Sequence, residues 1–103
     1  MTVFIDDDST RAEQARLALQ RGLERLRAAG FDCTLTQATD GTYERVELAY
    51  GQPGQEQCAM SDGWAIGERD NEALAFTWMT LEVLRLVGAH ESRRTAAAAT
   101  ALR

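Results

Sequence analysis

Positions 70–89 can form one helix, and that helix carries more apolar surface than a single neighbour can cover. At about 100° per residue, Ala75, Phe76, Met79, Val83, Leu86 and Val87 fall on one stripe. Leu74, Trp78, Leu81 and Leu84 form a second, on much of the opposite side, and only Glu72, Thr77, Thr80, Glu82 and Arg85 interrupt the two. A helix lying on one sheet needs one stripe, and a helix apolar nearly all round is buried all round. A chain of 103 residues has little other protein with which to cover the second. Leu74, Trp78, Leu81 and Leu84 therefore read as a contact surface for a twin subunit or another partner, while the pattern alone leaves open which of the two stripes faces the sheet.

The length fits one domain with one modest core, and the apolar share of 45% is enough to fold it. No run of about 18 apolar residues is present to span a membrane. The first residues lack a basic segment followed by a long apolar one, so no secretory signal is read and a cytoplasmic location is expected. All eleven basic residues are arginine. This suits a GC-rich bacterial or phage genome, and it removes Schiff-base chemistry and the phosphate-binding lysine of nucleotide sites. Cys33 and Cys58 make neither a CxxC nor a zinc spacing and read as small buried hydrophobes, with a disulfide as the alternative.

The net charge of −5 is concentrated in the middle of the chain. Residues 1–31 are neutral, residues 32–72 carry two arginines against nine acids, and residues 73–103 carry a net +2. Such a middle would be repelled by nucleic acid and attracted to a protein with a basic surface. A solvated sheet face with its ordinary share of acids is the simpler reading.

A first helix is expected from Thr10, where Thr10 and Glu13 spell a capping box and Asp6, Asp7 and Asp8 favour the positive end of the dipole. Ala12, Ala15, Leu19, Gly22, Leu23 and Leu26 share one face, and Gly30 suits the helix end, with Phe31 folding back. Alternation of Phe31, Cys33 and Leu35, then of Val46, Leu48 and Tyr50, predicts a hairpin of strands 31–37 and 43–50 turning at Asp40 and Gly41. Pro53 and Gly54 fit a type II turn. A short strand is expected over 57–60 and a turn at Ser61, Asp62 and Gly63. Trp64, Ala65 and Ile66 follow as a short strand or buried loop. Asp70 is read as the cap of the last helix. Gly88 ends its well-packed part, and residues 91–103 form a frayed helical extension or a disordered tail.

The expected fold is α+β: one two-layer domain over residues 1–90, in α-β-β-β-α order, its antiparallel sheet covered by two helices. That order is similar to the double-stranded-RNA-binding domains. Their second helix opens on a lysine-rich motif aimed at phosphates, whereas Glu68, Arg69, Asp70, Asn71 and Glu72 stand here, so direct nucleic-acid binding is not expected.

Little in the chain points to catalysis. Asp6, Asp7, Asp8, Ser9 and Thr10 after an apolar triplet resemble the first motif of haloacid-dehalogenase-type phosphatases. The resemblance covers about eight residues, and the chain is too short for that family's parallel sheet. The aspartates read as helix-capping acids, with weak divalent binding as the alternative. His90, the single histidine, lacks ligands at metal spacing and suits a helix C-terminus. No nucleophile motif is present, so neither an enzyme nor a cofactor or metal site is expected. Trp64 and Trp78 are both assigned to the core, although an exposed tryptophan would be a binding hot spot; Tyr43 and Tyr50 are weaker candidates.

In size, acidity, lysine-free composition and lack of catalytic motifs, the chain resembles the small phage or prophage proteins that block host defences, of which anti-CRISPR proteins are the best-known group. The resemblance is one of general character, and no functional residue carries over from it. It implies a non-enzymatic inhibitor or adaptor in which Glu44, Glu47, Glu56, Asp62 and Glu68 stand in for phosphates against a basic partner. The alternative is a homodimeric module paired through the last helix.

Overall fold

A computed structural model describes residues 7–101, with side chains from Thr10 onward. Helix α1 spans Asp7–Ala28, strands β1, β2 and β3 span Asp32–Asp40, Tyr43–Gly51 and Cys58–Ala65, and helix α2 spans Arg69–Ala101. The three strands form one antiparallel sheet in the order β1-β2-β3. The fold is α+β in the α-β-β-β-α order read from the sequence. Among the described residues, no helix is long and apolar enough to cross a membrane.

The start of α1 differs from expectation. Asp7, Asp8 and Ser9 are already helical, so Thr10 lies within the helix and not at an N-cap. The other end follows the sequence. Gly30 adopts φ +97, its N–H donates to the Arg27 carbonyl at 2.9 Å, and the Phe31 N–H donates to the Leu26 carbonyl at 3.2 Å. Those two bonds are the Schellman pattern and satisfy carbonyls that the helix end would orphan. Phe31 then meets the His90 ring edge-on, with centroids 5.7 Å apart.

The hairpin turns through Gly41 and Thr42, one residue later than expected, because Asp40 still pairs with Tyr43. Gly41 takes φ +62, which a two-residue turn between twisted strands requires at its first position. Pro53 and Gly54 form the expected turn: Gly54 has φ +78 and the Gln55 N–H donates to the Gln52 carbonyl at 3.0 Å.

Strand β3 corrects a larger expectation. Ser61, Asp62 and Gly63 are not a turn; they pair with Glu47, Val46 and Arg45 inside one continuous strand. The Asp62 carboxylate accepts the Gly63 N–H at 2.8 Å, a local bond of the kind that makes Asp-Gly a turn former. Pairing along β2 overrides it. Gly63 is required by packing: a Cβ there would lie 2.4 Å from Tyr43 Cε1 and 2.9 Å from the Glu44 carbonyl oxygen.

Both helices lie on one face of the sheet. Contacts at Arg11–Asp70, Gly22–Val83 and Arg25–Glu91 rise together along both helices, so α1 and α2 run parallel, side by side. Their inner faces meet the helix-facing row of β2. Ala15, Leu19, Leu23 and Leu26 of α1, Val46 and Leu48 of β2, Trp64 of β3, and Ala75, Phe76, Met79, Val83 and Val87 of α2 form one buried core. The other sheet face carries small and polar residues, among them Thr34, Thr36, Arg45, Glu47, Ala59 and Ser61, and among the described residues no helix or further strand packs on it.

Cys33 and Cys58 also depart from expectation. Cys33 is half-buried and Cys58 is exposed, so Cys58 is no core residue. Each is the register partner of Tyr50, one on either side. Two strand spacings, roughly 10 Å, separate them, beyond the roughly 7 Å that a disulfide spans. Burial pushes the Cys33 thiol pKa up, against the opposing pull of Arg27.

Candidate functional site

Helix α2 begins at Arg69, and the Glu72 N–H donates to the Glu68 carbonyl at 3.0 Å, so Glu68 and not Asp70 holds the N-cap position. Gly67, with φ +95, turns the chain out of β3 just before it. Asp70 lies in the first helical turn and faces Arg11 at 3.6 Å.

The two apolar stripes of α2 have separate fates. Ala75, Phe76, Met79, Val83 and Val87 are the buried stripe, with Leu86 partly buried beside them. Leu74, Trp78, Leu81 and Leu84 are 65%, 50%, 62% and 39% exposed. Trp78 is therefore not a core residue, whereas Trp64 is: its indole Nε1 donates to Glu44 Oε2 at 2.8 Å and its ring packs against Phe76 at 5.5 Å. Position on the helix explains the split. Trp78 lies roughly 140–160° around the axis from Phe76 and Val83, so no rotation of α2 buries both sets in a two-layer fold.

The exposed stripe runs into a groove of about 610 Å³ at the N-terminal ends of the helices, lined by Arg11, Gln14, Ala15, Asp70, Ala73, Leu74 and Thr77. Small side chains make the groove, since Ala15 and Ala73 leave room between the helices and Leu74 forms one wall. Four large apolar side chains beside an apolar groove exceed the scattered single residues normal on a protein surface.

Arg16 and Glu72 hold the helices under this face. Glu72 is buried, 3.5 Å from Arg16 and 3.0 Å from Arg69. Arg16 also donates to Gln37 Oε1 at 2.8 Å and stacks over the Phe76 ring at 4.4 Å. One guanidinium thus joins α1, β1 and α2. Sequence reading placed Glu72 among interrupting polar residues and passed over Arg16, because Arg16 meets Glu72, Gln37 and Phe76 only across distant elements.

The acidic residues do not form one patch. Glu44 and Asp62 belong to the helix-facing rows of the sheet, and Glu44 is engaged by Trp64. Glu47 points to the opposite face, Glu56 sits in the β2–β3 loop, and Glu68 precedes α2, where it accepts a bond from Asn71 at 3.3 Å. Tyr43 is exposed with its ring across Gly63, and Tyr50 is half-buried. Asp6 lies outside the described residues, as do the side chains of Asp7 and Asp8. Among the described residues, no group of three His, Cys, Asp or Glu is placed to hold a metal ion. His90 sits within α2, which continues to Ala101; beyond Glu91 the helix is exposed on all sides.

No protein-family model, curated protein or solved structure matches the chain.

Proposed function

We propose that this protein is a non-enzymatic protein-binding module, an inhibitor or adaptor, that docks through the outer face of α2. The observation that carries the reading is the exposure of Leu74, Trp78, Leu81 and Leu84 along one side of a helix whose other side is buried in the core from Ala75 to Val87. Such a face loses water on association, and a central tryptophan is the residue type that most often dominates binding energy. The acidic-surface form of the reading, an anti-CRISPR-type mimic of nucleic acid meeting a basic partner, has less support. Its five carboxylates divide between two sheet faces and two loops, and Glu44 already holds Trp64.

The test is affinity capture with the tagged full chain from bacterial lysate, with nuclease, quantified by mass spectrometry. Three baits are compared: the native chain, Trp78→Glu, and a chain with Glu47, Glu56, Asp62 and Glu68 changed to arginine. Loss of captured protein with Trp78→Glu alone is the expected result. Loss with the charge-reversed bait alone would overturn the helix-face reading in favour of the acidic surface.

A further inference from the structure

The outer face of α2 continues past the body of the domain, and its two halves differ in size in a regular way. Leu74, Trp78, Leu81, Arg85, Gly88, Ser92, Thr95 and Ala99 follow one another at alternating spacings of four and three, the spacing of a helix–helix seam. All eight are exposed. The first half carries three large apolar residues and an arginine. The second carries glycine, serine, threonine and alanine. Folded over an antiparallel copy of itself, the seam sets Leu74 against Ala99, Trp78 against Thr95, Leu81 against Ser92 and Arg85 against Gly88. Every large side chain meets a small one, as close packing between facing positions requires.

We infer that the partner of this face is a second copy of the chain, with the two α2 helices antiparallel and overlapping from Leu74 to Ala99. The inference rests on the docking reading above and names its occupant. Charge agrees with this direction. Glu82 and Arg93 lie on the same flank of the seam, and antiparallel overlap brings Arg93 of each chain level, within about one turn, with Glu82 of the other. Antiparallel helices also oppose their dipoles. The groove beside Leu74 and Thr77 receives the small-residue end of the other helix, whose alanines allow close approach. A parallel pairing has none of this: it sets Trp78 on Trp78, Arg85 on Arg85 and Gly88 on Gly88.

The experiment uses the full chain with Cys33 and Cys58 changed to serine. Sedimentation equilibrium gives the oligomeric state, and Trp78→Ala should raise the dimer dissociation constant about 30-fold or more with unchanged circular dichroism. Leu74→Cys and Ala99→Cys chains are then oxidised separately and mixed. Cross-linking between the two variants, and by neither alone, is expected. Leu74→Cys linking to itself would overturn the antiparallel register. A chain monomeric at high micromolar concentration would overturn the second copy as occupant. If that monomer still captured a protein lost on Trp78→Glu, the docking face would stand with a different partner; if it captured nothing, the docking reading would fall too.

Discussion

Helices α1 and α2 lie side by side and point the same way, yet they meet solvent differently. Helix α1 has one apolar face, and its Ala12, Leu19, Leu23 and Leu26 are all buried. Its outward side carries arginines and glutamates and one exposed large apolar residue, Leu17. Helix α2 buries an equivalent face and leaves a second one open. Both helices satisfy the core, so folding alone does not account for the second stripe. The contrast separates apolar surface that makes the domain from apolar surface left over for something else.

The largest expected effects lie on the inner faces. Phe76→Ala should cost about 3–5 kcal/mol and Leu23→Ala about 2–5 kcal/mol in urea unfolding, because both side chains are enclosed. Equal behaviour of the two helices here defines the shared half of the comparison. Glu72→Gln comes next. It removes the buried charge that links Arg16 of α1 to Arg69 of α2, and should cost about 1–3 kcal/mol, moderated by the access of both arginines to water. A cost near zero would mean the helices are held by packing alone.

The outer faces should divide. Leu17→Ser and Leu81→Ser should each change stability by less than about 0.5 kcal/mol under conditions where the chain is monomeric. Only Leu81→Ser should weaken association. Equal loss of association from Leu17→Ser would break the comparison.

The smallest effect concerns pH. The Arg85 guanidinium, bonded to Glu82 along the exposed flank of α2, holds the Glu82 carboxyl below its ordinary value. A carboxyl so depressed adds stability above its unfolded pKa and loses it as pH falls through the folded one. The contribution is therefore full at neutral pH and fades in acid, starting near the ordinary glutamate value. An exposed pair of this kind contributes little to stability, because water and salt screen it. Acid unfolding of Arg85→Gln beside the native chain should differ only slightly.

Much of the fold was legible because local signals and long-range packing agree there. The Gly30 helix end, the alternation in β1 and β2 and the single face of α1 each need only neighbours in sequence. Strand β3 was misread at Ser61, Asp62 and Gly63, since turn chemistry is local and the pairing with Glu47, Val46 and Arg45 is not. The two stripes of α2 were visible as a pattern. Which one faces the core was not, because that depends on where β3 delivers the chain into the helix. The acids looked like one module in sequence, but strand alternation sends Glu44 and Glu47 to opposite faces. The seam beyond Gly88 was hidden by its small residues, which carry no apolar signal of their own.

The unlike settings of the two tryptophans give this molecule a pair of intrinsic optical reporters. Trp64 is enclosed, with its indole N–H held by Glu44, so its emission will be blue-shifted in the native state and will move only when the domain unfolds. Trp78 is half in water on the far side of α2, so its red-shifted emission will respond when that face is covered. Folding and association can thus be followed in one cuvette, each through its own wavelength, with no dye attached.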